Sequence, residues 1–396
     1  MQKPKRIVIA SGATGGHFYP GLAVGRELKA AGWETLFLVK KDDMARKTLE
    51  EAGLPYAEID ARALPRTLNP LAHAVFAWKL AGSLYACLKI ISDFEPAVVF
   101  GTGSYVSFPA LLAARLQSVP SILHESNAKF GLGNYLCARF ADLVALGLPM
   151  RKNPFAAKSR LTGTPIRPFF PALKAEAGRS FGFIKEIPTL LVFGGSQGAR
   201  RLNLAVALAA KRLSSLGRGL QLIHVTGRRD FETVKSAYAG QGLLEAKWLK
   251  LIAYEERMDK LYAAADLVLS RSGAGTVAEL LALAKPSVLV PLPSSAAGHQ
   301  EENARVLSDK GAAILFKESP AFQAELSSCL ETLIKEPEKI HGMEINFKLV
   351  QAPPALKAVE KLKALIEEIA PPKPRHSDSR FKIQDCRKPP CIILNL

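Results

Sequence analysis

Short apolar runs rich in β-branched residues recur along the chain, and most are followed by a stretch with helical periodicity. The first run ends in a glycine-rich turn at residues 11–17, and a helix is predicted from about residue 20 to residue 31. Continuous apolar strands separated by helices are typical of a parallel sheet that helices cover on both faces. The predicted strands of this first array are residues 7–10, 35–39, 97–100, 121–123 and 142–145.

The same pattern restarts at residue 189, where a second apolar run ends in the turn Gly194-Gly-Ser-Gln-Gly198. Residues 165–188 are rich in proline and glycine and carry no strand signal, so we place a domain boundary at residue 167. A chain of 396 residues also has the length of two ordinary domains. The further predicted strands of the second array are residues 221–225, 266–269 and 287–290.

Charge and cysteine content narrow the class of partner. The net charge of +17 favours an anionic ligand or surface, but the basic residues form no run, so nucleic acid is not expected. The five cysteines include no C-x-x-C pair, which argues against a disulfide framework and a zinc site and fits a reducing compartment. The first apolar run is too short for a signal peptide, and we find no clean apolar run of transmembrane length.

The two glycine-rich turns are candidate phosphate sites. Glycine permits positive φ and close backbone approach, and the N-terminus of the following helix presents N–H groups to an anion. A tight turn without a ligand is the alternative for either one. Lys40 and Lys41 stand where a nicotinamide-binding domain carries an acidic residue, which weakens that interpretation. His17 directly follows the first turn and could be a general base, a helix cap or a substrate-binding residue.

Two later clusters carry polar groups suited to a nucleoside and a sugar. Glu279 is predicted in the first turn of the helix after a Gly-containing loop, where a carboxylate could accept both ribose hydroxyls or merely complement the helix dipole. His299, Gln300 and Asn303 lie on a later helix, and amide side chains both donate to and accept from sugar hydroxyls. Together these features predict an enzyme that holds a sugar nucleotide by its diphosphate and transfers the sugar.

Seven motifs occur in the order found in one family. They are Gly12-Ala-Thr-Gly-Gly-His17, Gly101-Thr-Gly-Ser-Tyr105, His124-Glu-Ser-Asn127, Thr162-Gly-Thr-Pro-Ile-Arg167, Gly194-Gly-Ser-Gln-Gly198, Ser270 to Glu279, and His299-Gln300 with Asn303. Over about residues 5–370 the chain resembles the MurG family, the lipid II-forming N-acetylglucosaminyltransferases of glycosyltransferase family 28.

The resemblance implies an α/β protein of GT-B fold, with two Rossmann-like, doubly wound parallel-sheet domains facing across a cleft. Residues 1–167 would be the acceptor and membrane-associating domain, to which a helix at 350–370 crosses back. Residues 168–349 would bind the UDP-sugar, and residues 371–396 are predicted to be a disordered basic tail. The implied reaction is inverting transfer of N-acetylglucosamine from UDP-N-acetylglucosamine to the 4-hydroxyl of undecaprenyl-diphospho-N-acetylmuramoyl-pentapeptide (lipid I). The product would be lipid II for peptidoglycan, and neither a metal nor another cofactor is expected.

By match to the family's motifs, His17 would be the general base that deprotonates the muramoyl 4-hydroxyl. Ser196 would meet the donor phosphate, Glu279 the ribose, and the segment of Tyr254 and Glu255 the uracil. The other residues expected to line the substrates are Thr14, Gly15, Gly16, Tyr105, Asn127, Arg167, Gln197, Gly198, Ala274, Gly275, Thr276, His299, Gln300 and Asn303.

The chain departs from the family's usual residues at four of these motif positions or beside them. They are Ser104 for Gly, Ser126 for Gln, Thr164 for Asn, and Glu255 for an apolar residue.

A lipid-linked acceptor implies a peripheral enzyme at the cytoplasmic face of the inner membrane, with other cell-wall and division proteins as partners. Residues 70–91 form an apolar helical stretch that could dock on anionic lipid or pack as a core helix on the sheet. Its apolar residues are Leu71, Val75, Phe76, Trp78 and Leu80, with Arg62, Arg66 and Lys79 nearby.

Three other functions stay open at this point. They are a GT-B transferase with a different acceptor, a sugar-nucleotide epimerase on a similar scaffold, and a nucleotide-binding module without catalysis.

Overall fold

The computed structural model describes residues 4–12, 15–43, 45–65, 67–166, 174–195, 198–216, 219–295, 298–351, 355–371 and 391–392. The chain forms two compact units. Unit 1 comprises Met1–Arg167 together with Pro353–Leu396, and unit 2 comprises Pro168–Ala352. The predicted disorder of residues 371–396 falls outside the described residues, apart from Pro371 and the pair 391–392.

Unit 1 is built on an eight-stranded parallel sheet. Its strands are β1 Arg6–Ala10, β2 Glu34–Lys40, β3 Tyr56–Ile59, β4 Val98–Gly101, β5 Ser121–Glu125, β6 Leu143–Leu146, β7 Ser159–Leu161 and β14 Cys391–Ile392. Their order in the sheet is β14-β3-β2-β1-β4-β5-β6-β7. The helices of the unit are α1 Gly15–Ala30, α2 Ala45–Glu51, α3 Pro70–Phe94, α4 Ser104–Leu116, α5 Leu132–Phe140 and α14 Ala358–Ile369.

Both faces of this sheet are covered, which explains why its two central strands, β1 and β4, are apolar apart from Arg6 at the start of β1. Val8 faces the core formed with α3 and α4, whereas its neighbours Ile7 and Ile9 face the core formed with α1 and α14. Helix α1 approaches closely, because a Cβ added to Gly25 would lie 2.5 Å from the Phe37 ring. The late helix α14 therefore belongs to unit 1, where its apolar side buries Leu362, Leu365 and Ile366.

Unit 2 has a six-stranded parallel sheet. Its strands are β8 Thr189–Phe193, β9 Gln221–Val225, β10 Leu249–Ile252, β11 Leu267–Ser270, β12 Ser287–Leu289 and β13 Ala313–Leu315, in the order β10-β9-β8-β11-β12-β13. The helices are α6 Lys174–Ser180, α7 Arg200–Ser214, α8 Phe231–Ala239, α9 Met258–Ala264, α10 Ala274–Leu283, α11 His299–Ser308, α12 Phe322–Lys335 and α13 Pro337–Asn346.

Each sheet reverses its strand order once, between β1 and β4 in unit 1 and between β8 and β11 in unit 2. In such sheets the chain leaves the two central strands in opposite directions, and ligands bind in the crevice at their carboxyl ends. The glycine-rich turns at residues 11–17 and 194–198 follow β1 and β8. The fold therefore places each turn at the reversal point of its own sheet.

Two local predictions were wrong. Helix α1 begins at Gly15 rather than at residue 20, so Pro20 lies inside it. Gly15 and Gly16 therefore have helical backbone. Glu279 lies in the second turn of α10, which begins at Ala274, and not in its first turn.

Candidate functional site

In unit 1 the imidazole of His17 is held by one of its two nitrogens. His17 lies in the first turn of α1, and its Nδ1 is 2.9 Å from the carbonyl oxygen of Thr102, just after β4. A carbonyl can only accept, so Nδ1 carries the hydrogen and Nε2 keeps a lone pair. The reversal point of the sheet thus presents a histidine in the tautomer that a general base needs.

Gly103 makes room for this arrangement. Its φ is +93°, and a Cβ built there would lie 2.7 Å from the amide of Asn134 and 3.0 Å from His17 Nδ1. The next residue, Ser104, also has a positive φ, +67°, and its Oγ accepts from Val106 N at 3.3 Å. Ser104 is one of the departures from the family pattern, and its backbone conformation is one that glycine adopts without strain.

Behind Gly103 lies a buried carboxylate that the sequence analysis did not single out. Glu125, at the end of β5, accepts from Asn127 N and Asn127 Nδ2, both at 2.9 Å, and from Asn134 Nδ2 at 2.7 Å. Its side chain is buried. The predicted substrate residue Asn127 is therefore oriented by Glu125, which also fixes the amide that packs on Gly103.

His124 precedes this carboxylate and is a structural histidine. Burial lowers the pKa of His124 to about 4. A hydrogen bond to Gly163 O at 3.2 Å acts in the opposite direction but is the weaker effect. Ser126 Oγ lies 3.3 Å from its Nδ1. The residue is therefore neutral near pH 7 and joins the end of β5 to the loop after β7.

In unit 2 the described part of the Gly194–Gly198 turn has a geometry that requires glycine. Gly195 and Gly198 have φ values of +86° and +76°, and Gly198 N donates to Gly195 O at 3.0 Å. A Cβ on Gly198 would lie 2.7 Å from Asp230 Oδ2 and 2.8 Å from Thr226 O. Helix α7 begins two residues later, so its N-terminal N–H groups face the same end of the sheet.

A hydrogen-bonded chain of buried polar side chains lies next to the Gly194–Gly198 turn and supports it. Asn203 Nδ2 donates to Thr226 O at 2.8 Å and to Asp230 Oδ2 at 3.2 Å, so Asn203 Oδ1 must accept from His224 Nε2 at 3.2 Å. His224 Nδ1 then accepts from Tyr238 OH at 2.8 Å. Burial lowers the pKa of His224 to about 3, so the ring is neutral and both nitrogens are satisfied.

Helix α10 supplies the third segment. Ala274, Gly275 and Thr276 form its first turn, and nothing lies within 4 Å of a Cβ added to Gly275, so the backbone there is open to a ligand. Glu279, one turn further on, is half-buried, and its Oε2 accepts from Tyr262 OH on α9 at 2.8 Å.

An ion cluster around the buried side chains of Arg271 and Glu318, also not anticipated from the sequence, closes the carboxyl edge of the sheet. Glu318 binds Arg271 Nη2 at 2.7 Å through one oxygen and Arg201 Nη1 at 2.9 Å through the other. Arg271 Nη1 also donates to Val290 O and Pro291 O. The cluster joins the loops after β11, β12 and β13 to the start of α7.

The amides predicted to contact the sugar are engaged within the protein. Gln300 Oε1 accepts from Leu292 N at 2.9 Å, and Ser272 Oγ donates to Gln300 O at 2.7 Å. Asn303 is fully buried and donates to Ser272 O at 3.1 Å. Both residues hold the loop between β11 and α10 against α11, and their contact with a sugar stays a prediction. His299 is the first residue of α11 and is half-buried.

The predicted base-recognition segment follows β10. Tyr254 is 39% exposed, and the guanidinium of Arg228, from the loop after β9, lies 4.8 Å from its ring centroid. Glu255 Oε1 accepts from the Arg257 backbone N–H at 2.8 Å. A charged residue at this position is therefore accommodated by its own turn.

Comparison with known proteins gives the family. The model of the glycosyltransferase family 28 N-terminal domain matches residues 7–146, and that of the C-terminal domain matches residues 189–364. The chain belongs to glycosyltransferase family 28. One family 28 relative, from Elusimicrobium minutum (strain Pei191), is 37% identical over 367 residues, which are 92% of this chain and 100% of that protein. It is named UDP-N-acetylglucosamine--N-acetylmuramyl-(pentapeptide) pyrophosphoryl-undecaprenol N-acetylglucosamine transferase.

Two further comparisons agree with the family 28 assignment. A protein of the same name from Halothermothrix orenii is 36% identical over 88% of this chain and 95% of its own length. The crystal structure of Acinetobacter baumannii MurG superposes with a TM-score of 0.74 at 28% identity, covering 92% of this chain and all of that one. The expected α/β fold with two Rossmann-like parallel-sheet domains is confirmed.

The structure brings the family 28 motifs together at the carboxyl ends of the two sheets, within each unit. In unit 1, His17 and the half-buried Tyr105 and Asn127 follow neighbouring central strands. Five predicted residues lie outside the described part of the chain: Thr14, Arg66, Arg167, Ser196 and Gln197. Within the described ranges, no group of three or more His, Cys, Asp or Glu side chains could hold a metal ion.

Proposed function

We propose that this chain transfers N-acetylglucosamine from UDP-N-acetylglucosamine to the 4-hydroxyl of undecaprenyl-diphospho-N-acetylmuramoyl-pentapeptide, forming lipid II. The relatives named for this transfer align along nearly their whole length. The observation that carries the proposal is the hydrogen bond from His17 Nδ1 to the Thr102 carbonyl, at the reversal point of the unit 1 sheet.

His17 acts as the base in this proposal. Its Nε2 lone pair removes the proton of the muramoyl 4-hydroxyl as that oxygen attacks the anomeric carbon, which inverts. The imidazolium that forms is stabilised because Nδ1–H already donates to Thr102 O. Asn127, oriented by Glu125, and Tyr105 bind the acceptor beside it.

Unit 2 holds the donor in this proposal. UDP departs with added negative charge, and the N–H groups of the Gly194–Gly198 turn and of the α7 and α10 N-termini stabilise that charge. Glu279 accepts from the ribose hydroxyls, and the Tyr254–Glu255 backbone reads the uracil edge. Thr14, Arg167, Ser196, Gln197, His299 and Gln300 complete the diphosphate and sugar contacts.

The test is a transfer assay with purified protein, UDP-N-acetylglucosamine and a soluble lipid I analogue. UDP release that requires the acceptor supports the proposal. We expect His17→Ala to lower kcat by about 10²- to 10⁴-fold. The matched control, His341→Ala, changes an exposed histidine of unit 2 and should leave kcat unchanged.

Other outcomes would select a rival. Conversion of the free sugar without an acceptor would indicate an epimerase. Tight UDP binding with no turnover would indicate a binding module, and turnover with other acceptors only would indicate a different transferase. Wild-type kcat in His17→Ala would remove the base role while leaving the transfer itself intact.

We further propose that the chain works as a peripheral enzyme on anionic lipid at the cytoplasmic face of the cell membrane. By length and composition, α3 is the one helix in the described ranges that could cross a membrane. Its C-terminal half is core, since Cys87, Ile91 and Phe94 are buried. Its N-terminal half is not, because Leu71 is 72% and Trp78 is 71% exposed.

These side chains form one docking stripe. Leu71, Val75, Trp78 and Tyr85 are exposed and recur at the spacing of one helix face, and the nearby Leu68 is 99% exposed. Lys79 lies 4.9 Å from the Trp78 ring and pairs with Asp60, while the Arg62 side chain is 56% exposed. An apolar stripe beside cationic side chains suits an anionic lipid surface.

Vesicle sedimentation tests this docking. We expect binding to vesicles containing anionic lipid, weak binding to neutral ones, and a loss of at least about tenfold in Trp78→Glu. The control is Leu349→Glu, which places the same charge at an apolar residue of unit 2 that is 58% exposed. Equal loss in both variants would contradict docking through α3.

A further inference from the structure

The buried hydroxyl of Tyr262 contacts Glu279, the carboxylate of unit 2 that we propose binds the ribose. Tyr262 is completely buried, and its OH donates to Glu279 Oε2 at 2.8 Å. Tyr262 lies on α9, which follows β10, and Glu279 lies on α10, which follows β11. This hydrogen bond therefore links two helices that follow different strands of the sheet.

The ring of Tyr262 is fixed as firmly as its hydroxyl. It packs edge-on against Phe193, with ring centroids 5.9 Å apart and an interplanar angle of 89°. Phe193 is the last residue of β8 and directly precedes Gly194. Helix α9 itself follows the Tyr254–Glu255 segment. Tyr262 is therefore tied to all three segments expected to hold the donor.

From this geometry we propose that Tyr262 is a positioning residue for ribose recognition: its hydroxyl fixes the Glu279 carboxylate in the orientation that accepts the ribose hydroxyls. This rests on the proposed role of Glu279. A glutamate side chain that is free to rotate loses conformational entropy when it binds, and one held in place beforehand does not. A hydrogen bond to a charged acceptor is also among the stronger ones in proteins.

A purely structural role for Tyr262 makes a different prediction. If the hydroxyl served only the packing of α9 on α10, its loss would weaken every donor ligand alike. If it orients Glu279, its loss weakens only ligands that carry the ribose hydroxyls from which Glu279 accepts. Comparing UDP with 2′,3′-dideoxy-UDP separates these two cases.

The experiment measures the dissociation constants of UDP and 2′,3′-dideoxy-UDP by calorimetry for the wild type and for Tyr262→Phe, Glu279→Gln, the double variant and Tyr238→Phe. Phenylalanine keeps the ring against Phe193. We expect the wild type to prefer UDP by about tenfold or more, and Tyr262→Phe to reduce that preference about fivefold with little change for 2′,3′-dideoxy-UDP. Tyr238→Phe removes another buried tyrosine hydroxyl of unit 2, bonded to His224, and should keep the wild-type preference.

The double variant and the kinetics complete the test. In the Glu279→Gln background, Tyr262→Phe should have no further effect on the preference. In the transfer assay Tyr262→Phe should raise the KM for UDP-N-acetylglucosamine with kcat unchanged, because ribose binding is the same in the ground and transition states.

Two failures are distinguishable. If Glu279→Gln abolishes the preference but Tyr262→Phe retains it, the positioning role is overturned while the ribose role of Glu279 stands. If Glu279→Gln retains the preference, the ribose role itself is wrong, and the inference about Tyr262 falls with it. Should Tyr262→Phe fail to bind either nucleotide, Tyr262→His offers a shorter donor, and equal weakening of both ligands in it overturns the proposal.

Discussion

The buried histidine of unit 2 makes a quantitative prediction about acid stability. The pKa of His224 is about 3 in the folded protein and about 6.5 in an unfolded chain. Below pH 6.5 the unfolded chain therefore binds a proton that the folded protein does not, so the free energy of unfolding decreases as the pH is lowered. The stability contributed by the neutral His224 is complete above pH 6.5 and is lost as the pH falls towards 3. Each pH unit in that window costs about 1.4 kcal/mol, so the loss at pH 5 is about 2 kcal/mol.

The assay compares the free energy of unfolding of the wild type and His224→Gln at pH 8 and pH 5. Gln can still meet Asn203 Oδ1, but it does not titrate. The three tryptophans allow unit 2 to be followed alone, because Trp33→Phe and Trp78→Phe leave Trp248, which packs on its core. We expect the stability difference between the two proteins to shrink by about 2 kcal/mol from pH 8 to pH 5.

His341→Gln is the matched control, since it replaces an exposed histidine of the same unit by the same residue. If the difference between the wild type and His224→Gln is the same at both pH values, the ring is not a neutral buried histidine. The polar chain from Tyr238 to Asp230 would then need another assignment of its hydrogens.

Three further predictions concern the backbone between β4 and α4 and that of the Gly194–Gly198 turn. Gly103→Ala should lower kcat of transfer at least about tenfold, because its Cβ would contact the His17 imidazole. The control Gly82→Ala places its Cβ in open space and should keep the wild-type kcat. Equal kcat values in the two variants would contradict this prediction. Gly198→Ala should raise the KM for UDP-N-acetylglucosamine about tenfold, because the Cβ meets Asp230 and the turn must open; an unchanged KM refutes it. Ser104→Ala should lower the free energy of unfolding by about 1 kcal/mol in thermal unfolding, because it keeps the positive φ and loses the hydrogen bond to Oγ. Ser104→Gly should lower it less, because glycine adopts this φ without strain. The reverse order would count against backbone strain at this site.

Central strands were the part of the fold that the sequence predicted best. Residues 189–193 and 221–225 form β8 and β9 with the predicted bounds, because short runs dominated by apolar or β-branched residues are most stable in a sheet covered on both faces. Strands β3, β7, β10, β13 and β14 were missed. Segments such as Tyr-Ala-Glu-Ile and Ser-Arg-Leu are too short and mixed to signal a strand, and pairing with a neighbour decides their structure.

The candidate site was also predicted only in part from the sequence. Glycines and polar groups next to apolar runs, such as His17 and the Gly194–Gly198 turn, were found because strand ends are readable. Glu125 and Asn134 were not, because nine residues and a loop separate them and only the folded chain brings the amide to the carboxylate. Arg271 and Glu318 meet across the carboxyl edge of the sheet, and their spacing carries no local signal.

The two units share a topology but differ in what stands behind their glycine turns, and that difference assigns the chemistry. In unit 1 His17 is half-buried and donates from Nδ1 to the Thr102 carbonyl, which leaves Nε2 as the proton acceptor in our proposal. In unit 2 the buried His224 has both nitrogens satisfied, and its pKa is about 3. A leaving diphosphate needs fixed N–H donors, whereas an attacking hydroxyl needs a proton acceptor. His224 is therefore excluded as the base, and His17 is bonded in the tautomer that a base needs, which is why we place proton removal in unit 1 and stabilisation of UDP in unit 2.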